Sequence, residues 1–115
     1  MNDMRIIALF VALVPALAIA APPPWQPLAD CAAAYRANAG IEDPDRPSSM
    51  TAMISDEAGD YLKAAQKAYR GKGGHAGAKA AVEAQVASRA PGFGKMSRSD
   101  LDKFIDACPQ LEAPG

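Results

Sequence analysis

Large hydrophobic side chains are scarce in this 115-residue chain, and aromatics make up only 6% of it. Much of the apolar composition is alanine, together with one uncharged run near the N-terminus. No segment alternates apolar and polar residues long enough to build a half-buried strand, which argues against a sheet. A single histidine, His75, sits in the glycine-rich stretch Gly71-Lys72-Gly73-Gly74-His75. That stretch lacks the P-loop pattern and any preceding strand, so it reads as a solvated loop rather than a phosphate cradle. Glu42, Asp43 and Asp45 crowd another loop, but the twelve-residue calcium loop with its central Gly and final Glu is missing. Nothing in the pattern calls for a cofactor or a metal. Basic and acidic residues number 12 and 13, and no basic stripe is present that could release counterions from a nucleic acid.

What the chain does have is a distinctive beginning. Met1 to Arg5 is short and polar, and Ile6 to Ala20 (IIALFVALVPALAIA) carries no charge. Ala18-Ile19-Ala20 then offers small residues two apart, and Ala21-Pro22-Pro23-Pro24 follows. This order predicts a secretory signal peptide over residues 1–20. The run is shorter than the roughly 20 residues a membrane span needs, and Pro15 weakens it further. No cysteine follows it closely, which argues against a lipid anchor. The expected product is exported to a bacterial periplasm or the medium, with no stable membrane anchor after cleavage.

Removal of the signal leaves 95 residues, enough for one domain. Ala21 to Pro27 (APPPWQP) holds four prolines in seven residues and reads as an extended leader. Residues 28–109 read as a helical domain and 110–115 as a flexible tail. Leu28, Cys31, Ala32, Tyr35 and Ala39 recur at helical spacing from about Pro27, and Gly40 is placed as a stop. After the turn-rich Ile41 to Pro47, Ser48 or Ser49 can cap a long helix over Met50 to Arg70. Gly59 within it is expected to cost stability, to mark a bend or to allow a close helix crossing. A thin, alanine-rich helix over Ala78 to Arg89 follows, between the breaks Gly71 to Gly77 and Pro91 to Gly94. Ser97-Arg98-Ser99-Asp100 fits a capping box with Met96 and Leu101 as its staple. Leu101, Phe104, Ile105 and Cys108 then form the last stripe before Pro109. The expected fold is all-α: a small, Ala-rich four-helix bundle.

Cys31 and Cys108 both fall on apolar helix faces near the two ends of the mature chain. An oxidising compartment and an even cysteine count predict a disulfide between them. In the chain-entropy model, closing so long a loop stabilises by roughly 4.5 kcal/mol, which rivals the net stability of a small domain. No C-x-x-C motif or adjoining base favours a redox-active role.

The helix from Met50 to Tyr69 carries a stripe longer than any partner helix in the chain can cover. Met50, Met53 and Tyr69 are therefore expected as a partly open surface for a protein or peptide partner. The outline of a small exported helical domain, with one disulfide joining early and late helices, resembles that of the periplasmic acid-stress chaperones of the HdeA type. That resemblance is architectural, and it implies a stress chaperone that exposes apolar surface when acidified. A third reading is a small hydrolase using Asp56, Asp60 or His75; Lys63 and Lys67 stand ready to neutralise those carboxylates. The leading expectation is a non-enzymatic protein- or peptide-binding module. Intact-mass measurement of the protein from its own cell should show a new N-terminus at Ala21 or Pro22; a chain retaining Met1 would overturn the export reading.

Overall fold

A computed structural model describes residues 24–111, so the Ile6 to Ala20 run and the cleavage site expected after it lie outside the described residues. The fold is all-helical: α1 (Trp25–Ala39), α2 (Ser48–Ala68), α3 (Gly74–Gly94) and α4 (Arg98–Asp106) form a four-helix bundle. Among the described residues there is no strand, as the absence of period-two patterning anticipates. None of these helices is long and apolar enough to cross a membrane.

The arrangement is centred on α1. Ala29, Cys31, Ala32, Ala33 and Ala34 are all buried, and at about 100° per residue these positions point to every side of the helix. Helix α1 packs against each of the other three. It is therefore a central shaft rather than one wall of a bundle, and the expected single stripe through Leu28, Cys31 and Tyr35 understates its burial. Alanine makes this geometry workable, because a lone methyl lets neighbouring axes approach on all sides. The large apolar residues that fill the remaining space come from the outer helices: Tyr61 of α2, Val82, Val86 and Phe93 of α3, and Leu101 of α4.

Helix ends depart from expectation in three places. Helix α1 starts at Trp25, inside the Pro-rich stretch; Pro27 then sits in the first turn, where its missing N–H breaks no helical bond. Helix α2 starts at Ser48 behind an extended Pro47, and neither Ser48 nor Ser49 caps it. Instead the Pro47 carbonyl accepts from the amides of Met50 and Thr51. The third departure is the largest. Helix α3 absorbs Gly74 to Gly77 of the first expected break and all of the second, Pro91 to Gly94. Burial explains its far end: Phe93 packs edge-on against Phe104 of α4 at 4.7 Å, and Arg89 lies over the Phe93 ring. Drawing that ring into the core outweighs the local preference of Pro91 and Gly92 to end the helix. At the near end, Gly73 has φ +95°, a left-handed conformation that suits glycine, and its carbonyl accepts from the Gly77 amide.

The expected cap at α4 is present, with Ser97 Oγ accepting from the Asp100 amide at 3.1 Å. The disulfide is also present. Cys31 and Cys108 are bonded with their Cα atoms 6.0 Å apart, which ties the shaft to the chain just beyond α4. The first residues of the expected tail are not all loose, because Leu111 packs against the core; residues 112–115 lie outside the described residues.

Gly59 serves neither a close crossing nor a contact, since a Cβ built there meets nothing within 4 Å. Gly59→Ala should therefore stabilise the protein by about 0.5–1 kcal/mol through a stiffer unfolded chain and better helix propensity. In thermal unfolding that is a rise in Tm of a few degrees; an unchanged or lower Tm would show that α2 needs the glycine.

Candidate functional site

Two regions carry the polar and apolar chemistry of the surface, and both are built on α2. The first is the seam where α2 meets α1 and the C-terminal segment. Tyr61 is buried and stacks on Tyr35 of α1 at 5.1 Å between centroids. Its hydroxyl donates to the Pro109 carbonyl at 2.5 Å. Pro109 adjoins Cys108, so one hydrogen bond and one covalent bond fasten the same short segment to two different helices. Burial pushes the Tyr61 phenol up to about 12, and nearby Tyr35 and Glu57 act in the same direction. The Tyr35 phenol is also raised, again chiefly by burial. This constellation is structural: its groups satisfy one another and leave no reactive atom facing a cleft.

The second region is the start of α2. Helix α2 has 21 residues against the 15 of α1, and its buried residues, Ala58, Tyr61 and Ala65, all lie beyond its first two turns. Met50 is 50% exposed and Met53 66% exposed, so the two thioethers stand open one turn apart. Tyr69 does not join them. It lies just past the other end of α2, about 28 Å along the axis from Met50 at 1.5 Å per residue. There it is half-buried, edge-on against Trp25 at 5.4 Å. The open surface thus contracts from three expected residues to Met50 and Met53, because Trp25, carried in by the early start of α1, covers the third.

The carboxylates and histidine of the hydrolase reading are not assembled. Asp56 and Asp60 are exposed on α2, and His75 is exposed in the first turn of α3. The shallow cleft that Asp60 lines with Lys63, Lys67, Arg70 and Leu111 includes neither Asp56 nor His75. Lys63 and Lys67 do not neutralise these acids: among the described residues the ion pairs are Arg89–Asp30, Arg98–Asp43 and Arg98–Asp102, none of them on α2. Nor do three or more His, Cys, Asp or Glu side chains there group closely enough to hold a metal ion.

One polar cluster escapes sequence reading. Asp30 of α1 accepts from Gln85 Nε2 at 2.8 Å and pairs with Arg89 Nε at 3.4 Å, both on α3. These residues are 55 or more positions apart, and no local signal links them. Asp43 is likewise occupied, accepting from the Asp45 amide and facing Arg98 at 3.8 Å. Beside α3, a shallow groove against α1 is floored by Ala33, Ala37 and Val86 and edged by Arg36 and Glu83. It offers shape without a nucleophile.

No protein-family model matches the chain, and comparison with curated proteins and with solved structures finds no similar protein. The functional reading therefore rests on these residues alone.

Tyr61 yields a test of the seam. The folded state holds the phenolic proton more tightly than the unfolded chain, whose tyrosine titrates near its ordinary value of 10.0. Its stabilising effect is fully present below about pH 10 and is lost as pH rises through about 12. The loss amounts to roughly 2–3 kcal/mol at the upper end of that window. Both cysteines are bonded, so no free thiol is present to reshuffle the bridge. Urea unfolding across this range should show stability falling steeply for the wild type and less so for Tyr61→Phe. Equal slopes would mean that Tyr61 is not the group responsible.

Proposed function

We propose that this chain is an exported, disulfide-stapled helical module that binds a protein or peptide partner through the open start of α2. The observation that carries the reading is the exposure of Met50 and Met53 together, in a chain that has few large apolar residues to spare. Thioethers are flexible and polarisable, and they adapt to irregular apolar partners at contact surfaces. Glu57 follows Met53 by one helical turn and is also exposed, so the patch is apolar with an acidic border. A complementary segment presents apolar side chains flanked by a lysine or arginine. The bonded Cys31–Cys108 pair suits an oxidising compartment such as a periplasm or the extracellular medium. The N-terminal run of residues 6–20 supports the same route.

In-cell crosslinking tests this directly. Wild-type protein should yield one defined crosslinked partner, and Met53→Asp should lose it while circular dichroism shows unchanged helicity. A broad smear of captured chains that grows on acidification would favour the stress-chaperone reading instead. Full retention of the partner by Met53→Asp would remove the start of α2 as the binding surface.

A further inference from the structure

Helix α2 also carries a charge pattern that the single chain does not use. Asp56, Asp60, Lys63 and Lys67 recur at spacings of four, three and four along α2, and every one is exposed. This is the spacing of a helix–helix seam, here filled by charge. The signs are segregated: two acids stand in the middle of α2 and two bases toward its C-terminal end. Within the helix the two i,i+4 pairs are like-charged, Asp56 with Asp60 and Lys63 with Lys67, against one opposite pair at i,i+3, Asp60 with Lys63. None of the four forms an ion pair among the described residues.

We infer that this seam pairs with the α2 of a second copy of the chain, antiparallel and about a two-fold axis between Asp60 and Lys63. That register sets Asp60 opposite Lys63 of the partner subunit and Asp56 opposite the partner's Lys67. The two-fold repeats each pair, as an isologous interface must. A parallel, in-register pairing puts acid on acid and base on base, so the charge order selects the antiparallel one. A second copy is the occupant because the pattern is its own complement; a partner of other sequence would have to reproduce it. The contact is built from solvated pairs, so the dimer is weak and salt-sensitive. It leaves the two Met53 patches about 25 Å apart along the paired helices, at 1.5 Å per residue. The inference is independent of what those patches bind.

Sedimentation velocity on the oxidised protein isolated from the expressing cell tests it. At low salt the protein should show a reversible monomer–dimer equilibrium whose Kd rises at least about tenfold when ionic strength increases from about 0.02 to about 0.3 M. The double variant Lys63→Glu/Lys67→Glu makes the seam wholly acidic, and Asp56→Lys/Asp60→Lys makes it wholly basic. Each should be monomeric alone with unchanged helicity, and an equimolar mixture of the two should associate again. The neutral pair Lys63→Gln/Lys67→Gln guards against misfolding and should weaken the dimer. A wild type that stays monomeric at millimolar concentration, dimers indifferent to charge reversal, or a mixture that fails to associate would each overturn the inference.

Discussion

The structure depends on one constraint: the fully buried positions of its central helix carry almost no side-chain bulk, since Trp25, Leu28 and Tyr35 are only partly buried. Helix α1 buries four alanines and a cysteine on all sides, so it can be approached closely but offers little apolar area in return. A fully buried alanine methyl contributes only about 0.8 kcal/mol. The outer helices must supply the volume, and something must hold them against so slender a shaft. The Cys31–Cys108 bond does this for the C-terminal segment. The Asp30 contacts with Gln85 and Arg89 do it for α3. Tyr61, stacked on Tyr35 and bonded to Pro109, does it for α2.

Much of this was legible in the residues. Helical spacing around Leu28–Tyr35, Met50–Tyr69 and Leu101–Cys108 predicts helices at α1, α2 and α4, and Ser97 predicts its own cap. The bridge follows from two cysteines on apolar faces. What escaped has physical causes. Glycine and proline at both ends of α3 signal breaks, but burial of Phe93 overrides that signal at the far end, and no local rule registers a tertiary contact. Ser48 and Ser49 are good caps by type, yet the extended Pro47 already supplies the first acceptor. The all-round burial of α1 hides behind alanine, which reads the same on a core face as on a surface one. Asp30, Gln85 and Arg89 have nothing in the linear chain to connect them.

The candidate surface was legible through length rather than chemistry. A long stripe beside the 15-residue α1 implies an overhang, and Met50 and Met53 occupy it; α3 is not the short partner expected but, at 21 residues, matches α2 and touches it little. The same reasoning included Tyr69, because it treated Trp25 as part of an extended leader. Once Trp25 is helical it reaches Tyr69, and the overhang remains at one end only. The spacing of Asp56, Asp60, Lys63 and Lys67 was visible as well, but their lack of partners within the chain is a fact of three dimensions.

The bridge spans 77 positions in a protein whose other architecture is helical and mostly short-range. Helical turns close quickly, whereas joining distant points on a chain is slow and entropically costly. Helices can form and begin to gather around α1 while both thiols remain free, and the covalent closure then selects the finished arrangement from those looser states. The bond constrains the unfolded chain more than the folded one, so the reduced protein is the looser of the two states.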